Sequence, residues 1–272
     1  MKKNIILVLI LVNIFSVVTA GTGRDKKNKP QAPKNIILMI GDGMGTAQVY
    51  AGYTALKGVM NITGMPVSGF SVTYSADDYI TDSGAGGTAL ATGVKTRNGS
   101  IGVDESGQPV ESILEKAEKK GLSTALISTS AITHATPASF IAHTSDRSRY
   151  ADIAFDFLRT DIDVFIGGGY NHFARRADSL NLIDSLKARN YVVVRKLDDV
   201  NVKSVTRLAA LLADEHMPSM AKGRGNMLPD ATVTALKILK RNDQGFFMMV
   251  EGSQIDWGGH ANDFNYVLGE VV

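Results

Sequence analysis

The sequence predicts an α/β fold in which helices pack on both faces of an open, mostly parallel sheet, giving a three-layer sandwich. Two observations predict it. Continuous apolar runs recur along the chain, as expected for strands that are buried on both faces. Segments with helical periodicity separate these runs, and such strand-helix alternation is typical of parallel sheets. Parallel α/β sheets bind ligands beyond the carboxyl ends of their strands, so we expect the functional residues there.

The predicted elements follow one another along the chain. The first strand, 35–40, ends at a glycine-rich loop. The first clear helix, 110–120, places Val110, Ile113 and Ala117 on one stripe, and a glycine follows it as a stop signal. Apolar runs and periodic segments then alternate. The further strands are predicted at 124–128, 163–166, 191–194 and 246–250, and the further helices at 150–159, 178–187 and 230–240.

Residues 1–20 are typical of a secretory signal peptide. Two lysines precede an apolar run at 5–18, and small residues lead to a predicted cleavage after Ala20. The run is shorter than the ~20 apolar residues that a membrane-spanning helix needs. We therefore expect export to the periplasm or the extracellular space, with no membrane attachment after cleavage. Residues 21–34 are predicted to be a flexible lead-in, and 35–272 to be one domain.

Charge and cysteine content bear on the class of protein. The chain has 29 basic and 27 acidic side chains, and the predicted signal peptide carries two of the lysines, so 27 of each remain. A nearly neutral domain gives no reason to expect nucleic acid as a partner. Cysteine is absent, so disulfides are excluded. Any metal site must therefore use oxygen and imidazole ligands.

A carboxylate after the first strand is a candidate ligand for a cation. Asp42 lies in the loop Gly41-Asp-Gly-Met-Gly45. The alternative is a dinucleotide-binding turn, but the glycine spacing is G-x-G-x-G rather than G-x-G-x-x-G. An acid inside the turn would also repel a pyrophosphate. The loop therefore favours a hard divalent cation.

A serine among small residues is a candidate nucleophile. Asp82-Ser83 is followed by glycine, alanine and threonine residues and then by a helical run that ends near Gly93. We expect Ser83 at a helix N-terminus, where free backbone amides and the helix dipole favour a phosphate. For an isolated Asp-Ser pair, an ordinary helix cap would be the favoured alternative.

A third segment carries groups suited to metal and phosphate binding. His134 and Thr136 can point the same way from an extended segment. Arg147 follows them, and its guanidinium can hold a phosphate through two hydrogen bonds. By themselves, a single histidine and a single arginine are more often structural or solvated.

A fourth segment follows the last apolar run. Glu251, Asp256 and His260 emerge where a parallel sheet places ligands. The four-residue spacing of Asp256 and His260 puts both on one face of a helical turn. One carboxylate and one imidazole on a face favour a zinc site that takes further ligands from elsewhere. A surface turn is the alternative.

These four segments, in this order, resemble the alkaline phosphatase family. Asp42 resembles the metal-bridging aspartate, Ser83 the phosphorylated serine and Arg147 the phosphate-binding arginine. His134 and Thr136 resemble the motif of the third metal site, where some members carry aspartate in place of the histidine. The likeness extends from about residue 34 to the end, and it implies an alkaline-phosphatase-like sheet.

The resemblance also assigns the last segment and the cofactors. Glu251 resembles the glutamate of the third site, and Asp256 and His260 resemble two ligands of the first zinc. Asp42 and Ser83 would serve the second zinc. The implied reaction is hydrolysis of phosphate monoesters through a phosphoserine, with two Zn²⁺ and one Mg²⁺ as cofactors. Small phosphorylated molecules would be the substrates, and the family allows a homodimer.

The chain departs from the family pattern in its later part. In the family, an Asp-His pair and a distant histidine complete the zinc sites, on segments beyond the last motif found here. Asp214-Glu-His216 precedes Glu251 and is out of order for that pair, and no histidine follows His260. We therefore expect a truncated copy, incomplete at the C-terminal end, with weak or no activity.

Two alternatives to a phosphomonoesterase remain open. The chain could be a non-catalytic remnant that binds metal or phosphate, which would follow from the missing ligands. It could also be a phosphodiesterase or sulfatase of the same superfamily. A phosphodiesterase usually has threonine as the nucleophile, and a sulfatase needs cysteine or a differently placed serine.

Overall fold

The computed structural model describes residues 33–272. The predicted signal peptide and nearly all of the predicted lead-in lie outside the described residues. Lys34–Val272 form one compact unit. No helix in this part of the chain is long and apolar enough to cross a membrane.

Six parallel strands form a single sheet in the order β1-β6-β2-β3-β5-β4. The predicted α/β fold with a parallel sheet is therefore confirmed. The strands are β1 (Asn35–Gly41), β2 (Ser123–Ala131), β3 (Val164–Gly168), β4 (Tyr191–Val194), β5 (Arg207–Leu211) and β6 (Phe246–Gly252). The sequence analysis did not predict β5. Its sequence, Arg-Leu-Ala-Ala-Leu, contains no β-branched or aromatic residue, so its strand signal is weak.

Ten α-helices connect and follow the strands. They are α1 (Thr46–Ala55), α2 (Ser83–Thr92), α3 (Ile113–Lys119), α4 (Ala135–Ala138), α5 (Tyr150–Asp156), α6 (Tyr170–Ala174), α7 (Leu182–Ala188), α8 (Met227–Leu239), α9 (Gln254–His260) and α10 (Phe264–Val271) in the described residues.

Two helix starts differ from the predicted ones because side-chain caps, rather than apolar periodicity, set them. The helix predicted at 110–120 begins at Ile113, because Ser112 and Glu115 form a reciprocal capping box. The helix predicted from residue 178 begins at Leu182, where the Asn181 side chain caps it. Helix α8 begins three residues earlier than predicted, at Met227.

The two faces of the sheet are buried under different helices. Along β6, Phe247 and Met249 enter one core, whereas Phe246 and Met248 enter the other. Helices α3, α5, α6 and α7 contribute to the first core. Helix α8 covers the second. This is the predicted three-layer arrangement of helices on both faces.

Strand β1 forms one edge of the sheet, and part of its apolar surface is accessible to solvent. Ile37 is 46% exposed and Met39 is 70% exposed. The segment 59–80 has no strand and contains Phe70, which is 99% exposed.

Strand order brings three loops together at the carboxyl ends of neighbouring strands. Strand β6 lies between β1 and β2, with Gly41 beside Gly252 and Ser128 beside Glu251. The segments that leave the carboxyl ends of β1, β2 and β6 therefore start side by side. These segments carry the residues that the sequence analysis assigned to phosphate and metal chemistry.

Candidate active site

Ser83 lies at the first position of α2, as expected, and contacts the loop after β1. Its hydroxyl Oγ donates a hydrogen bond to Asp42 Oδ2 at 2.9 Å. Asp42 is held by its backbone N–H, which donates to Gly252 O at 3.2 Å. The loop can turn sharply here because Gly43 adopts φ +63°, a conformation that glycine accepts readily. The sheet thus places the candidate nucleophile beside a candidate metal ligand.

Asp82 both caps α2 and holds the candidate phosphate-binding arginine. Its Oδ1 accepts a hydrogen bond from Ala85 N at 2.8 Å, which is the N-cap bond of the helix. Its Oδ2 accepts from Arg147 Nη1 at 2.8 Å and from Gly99 N at 3.0 Å. Arg147 N in turn donates to Gly99 O at 2.7 Å. The arginine is therefore fixed close to the N-terminus of α2 before any anion binds.

His134 is buried directly before α4, with 8% of its surface exposed. Its Nε2 lies 3.4 Å from Arg147 Nη2, which can only donate. Burial, followed by the charge of Arg147, lowers the pKa of His134 to about 3. The imidazole is therefore neutral, with its lone pair on the Nε2 that faces Arg147 and its proton on Nδ1. Its other nitrogen, Nδ1, is buried and makes no hydrogen bond within the described residues.

Glu251 is fully buried at the end of β6. Its Oε2 accepts hydrogen bonds from Ser128 Oγ at 2.7 Å and from Ser253 Oγ at 2.6 Å. Its Oε1 is buried without a hydrogen-bond partner in the described part of the chain. Thr136, buried on α4, is close enough to lower the pKa of this carboxyl without reaching hydrogen-bond geometry. Burial and the charge of Asp42 outweigh these effects and raise the pKa of Glu251 to about 7.

Asp256 and His260 lie one turn apart on α9, in keeping with their spacing. His260 Nε2 is 3.5 Å from Asp256 Oδ1, and the histidine side chain is 81% exposed. The first turn of α9 touches the loop that carries Asp42. A Cβ atom at Gly43 would lie 2.8 Å from Asp256 Oδ1, so only glycine fits there. Asp256 is thus part of the site, whereas His260 is at its solvent side.

The electrostatics of the site favour a bound cation. Burial, followed by the charge of Asp256, raises the pKa of Asp42. Glu251 is repelled by Asp42 in the same way. Mutual repulsion of buried carboxylates is relieved when a divalent cation binds between them. Glu251 Oε1 is a carboxylate oxygen without a partner in the described residues, and His134 is a neutral imidazole; both groups ligate metals, so the residues present fit this role.

The fit is partial. Within residues 33–272, no three or more histidine, aspartate and glutamate side chains already stand close enough together to form a ready metal site. The candidate ligands are instead grouped in pairs, such as Asp256 with His260 and Asp42 with Ser83.

Two residues of the site were not predicted in their roles. A helix cap at Asp82-Ser83 was considered only as the alternative to a nucleophile, and the hydrogen bond of Asp82 with Arg147 was not predicted. His216 was set aside because of its place in the chain order. The structure packs it edge-on against His134 and Trp257, with ring centroids 5.5 and 4.8 Å away. No local sequence signal could have shown this contact, because it depends on where β5 joins the sheet.

Comparisons with known proteins identify the family of the chain. The family model described as alkaline phosphatase matches residues 33–272. The protein named alkaline phosphatase 4 of Bacillus subtilis (strain 168) is 37% identical over 297 residues, which cover 100% of this chain and 64% of that protein. Alkaline phosphatase of Escherichia coli (strain K12) is 32% identical over 318 residues, covering 93% and 67%. The chain spans less than two thirds of the length of the Bacillus relative.

Solved structures give the same result at the level of the fold. Alkaline phosphatase from the Antarctic bacterium TAB5 is 41% identical, with a TM-score of 0.85 over 88% of this chain and 71% of that one. A variant of the TAB5 enzyme is described with Mg bound in its M3 site. Thermus thermophilus alkaline phosphatase is 31% identical, with a TM-score of 0.80 over 88% and 53% of the two chains. The predicted resemblance is confirmed, and the chain belongs to the alkaline phosphatase family.

Proposed function

We propose that the chain carries the phosphate-transfer machinery of a phosphomonoesterase, with Ser83 as the nucleophile. The observation that supports this most directly is the placement of the Ser83 hydroxyl. It lies at a helix N-terminus, hydrogen-bonded to Asp42 and close to an arginine that Asp82 holds in place. The names of the relatives point to the same activity.

In the proposed reaction, the N-terminus of α2 and Arg147 bind the phosphoryl oxygens of the substrate. Ser83 Oγ attacks phosphorus, the new Oγ–P bond forms, and the bond to the ester oxygen breaks, so that the alcohol leaves with a proton. Water then attacks the phosphoserine, the Oγ–P bond breaks and inorganic phosphate is released. Throughout, Asp82 keeps the Arg147 guanidinium directed at the equatorial oxygens, where charge is greatest in the transition state.

The proposed cofactors are two Zn²⁺ and one Mg²⁺. When bound, such ions activate the nucleophile and stabilise the oxygens of an in-line displacement. Asp256 and His260 would hold one zinc, and Asp42 with Ser83 the other. The magnesium would be held by Asp42, Thr136, Glu251 and His134. The magnesium described at the M3 site of the TAB5 variant supports a third site of this kind.

We further propose that this chain alone is a weak catalyst. A zinc site takes three protein ligands and water, or four protein ligands, whereas each proposed zinc pair here has two. Each pair would bind zinc weakly, with water in the remaining positions. The same shortage favours a second candidate, a non-catalytic remnant that binds phosphate or metal without turnover.

Substrates, assembly and location are part of the same proposal. The site residues all address the phosphoryl group, so small phosphorylated molecules of varied structure would be accepted. A homodimer and export to the periplasm or the extracellular space, directed by residues 1–20, are proposed from the family resemblance and the N-terminal sequence.

Trapping the covalent intermediate tests the function. The chain is incubated with zinc, magnesium and ³²P-labelled inorganic phosphate, quenched in acid and digested, and the labelled peptide is mapped. We expect the label on Ser83 and none in the Ser83→Ala variant. Thr81→Ala, which removes a hydroxyl two residues away, is the matched control and should label like the wild type. Label on Thr81 or Ser75, with Ser83 unmodified, would show that the nucleophile is wrongly assigned. If the chain binds phosphate and no residue is labelled, the second candidate function, a non-catalytic remnant, is the correct one.

A further inference from the structure

Three aromatic rings meet beside the third-site residues. His134, His216 and Trp257 pack edge to face in a triangle, with ring centroids 5.5, 4.8 and 5.9 Å apart and interplanar angles of 84°, 76° and 81°. Each distance lies within the range in which such ring pairs attract. Only His134 of the three belongs to the ligands proposed above.

His216 is held rigidly in this triangle. Its Nδ1 accepts a hydrogen bond from the backbone N–H of Ala131, the last residue of β2, at 3.0 Å. The proton of a neutral ring must then be on Nε2. Ala131 also accepts a bond from His134 N at 2.9 Å, so His216 supports the turn that carries His134 as well as its ring.

The segment around His216 is itself fixed by hydrogen bonds to two helices. The backbone oxygen of Glu215 accepts from Gly169 N before α6, and its side chain accepts from His172 Nε2 at 3.1 Å. The backbone oxygen of Met217 accepts from the buried amide of Gln254, on α9, at 2.7 Å. His216 therefore cannot move without breaking contacts on both sides.

We propose that His216 is a positioning residue for the third cation site, where its ring, together with that of Trp257, fixes the orientation of the His134 imidazole. The inference rests on the proposed function, because it takes His134 as a ligand of that site. Within the described residues, His134 Nδ1 has no hydrogen bond, and its Nε2 has only the long contact of 3.4 Å with Arg147 Nη2. Packing against the two rings therefore restricts the rotation of the imidazole further. Residues that orient a ligating imidazole typically change metal affinity by about 10- to 100-fold.

Two variants separate the ring of His216 from its hydrogen bond. His216→Asn removes the ring and keeps an acceptor for Ala131 N–H. His216→Phe keeps a ring and removes the acceptor. His143→Gln is the matched control, because His143 is also partly buried and is absent from the triangle. Circular dichroism checks that each variant folds, and if His216→Asn does not fold, His216→Gln, which also removes the ring and keeps an acceptor, takes its place.

The readouts are the imidazole signals of His134 in ¹⁵N-histidine-labelled full chain and their response to zinc ion alone, which serves as the probe because imidazole binds zinc in preference to magnesium. The His134 signals are assigned from their absence in His134→Asn. Trp257 is the only tryptophan of the chain, so its fluorescence also reports on the triangle. We expect His216→Asn to shift the metal-free His134 signals and to raise the zinc concentration at half-saturation by at least about 10-fold. His216→Phe and His143→Gln should remain within about twofold of the wild type.

Three results would overturn the inference: unchanged His134 signals and zinc midpoint in His216→Asn, equal losses in His216→Asn and His216→Phe, or an equal loss in His143→Gln. Failure of the proposed site looks different. If zinc leaves the His134 signals of the wild type unchanged, His134 is no ligand, and the metal-free signals still decide whether His216 positions the ring.

Discussion

Replacing Asp82 by asparagine tests how the phosphate-binding arginine is held. The carboxylate accepts three hydrogen bonds, from Ala85 N, Gly99 N and Arg147 Nη1. An amide has only one acceptor atom, so Asp82→Asn cannot keep all three. If the amide oxygen keeps the hydrogen bond from Ala85 N, the NH₂ group faces the donors Gly99 N and Arg147 Nη1. Each donor left without an acceptor costs about 1–3 kcal/mol.

The variant loses less free energy of unfolding when the new amide is flipped, so this arrangement sets the expected loss of stability. The oxygen would then face Gly99 and Arg147, and the helix cap would be lost at a cost of about 1 kcal/mol. The ion pair is also lost. Both of its side chains are 26% exposed, so that loss adds only ~0–1 kcal/mol. We therefore expect Asp82→Asn to lower the free energy of unfolding by about 1–2 kcal/mol and to weaken phosphate binding.

Urea unfolding followed by Trp257 fluorescence measures the loss, with and without inorganic phosphate. Phosphate should raise the wild-type midpoint, because a ligand of the native state stabilises it, and should raise that of Asp82→Asn less. Asp263→Asn is the matched control, since Asp263 caps α10 through Tyr266 N at 3.0 Å and asparagine caps equally well. Equal losses in the two variants, with equal protection by phosphate, would refute this account of Asp82.

Three further predictions concern binding, pH and turnover. Arg147→Ala should lower kcat/KM by roughly ten- to a hundredfold, since a bond to a charged group contributes ~1.5–3 kcal/mol, and unchanged inhibition by phosphate would contradict its role. The hydrogen bond to Glu115 raises the pKa of His143, which also faces the carboxylate of Asp156. The free energy that this bond contributes to folding is present below the unfolded pKa of the histidine and is lost as the pH rises through its folded pKa. His143→Gln should therefore lower the free energy of unfolding more at pH 6 than at pH 9. With zinc and magnesium present, the chain should hydrolyse p-nitrophenyl phosphate at least ~10-fold more slowly than the Bacillus relative, and equal rates would mean that two ligands suffice for each zinc.

Much of the fold could be predicted from the sequence. Five of the six strands were predicted from apolar runs. For β3 and β6 the reason holds, because both faces of these strands are buried and carry mainly apolar side chains. Strand β1 is apolar but partly exposed at the edge of the sheet, so its run did not report burial on both faces. The helix that begins at Ser83 was predicted from small residues after an Asp-Ser pair. The helix that carries Asp256 and His260 was predicted from their spacing. In each case, the signal lies in neighbouring residues, whose pattern reports their own environment.

Tertiary structure alone decided which loops meet. Arg147 reaches Asp82 across 65 residues, and His216 reaches Ala131 across 85. The order of motifs along the chain suggested that His216 lies outside the site, yet β5 joins the sheet beside β3 and returns the chain to the end of β2. Three of the five neighbouring pairs in the sheet, β1–β6, β6–β2 and β3–β5, join strands that are not consecutive in the sequence. Contacts between their loops therefore depend on strand order, which local periodicity does not encode.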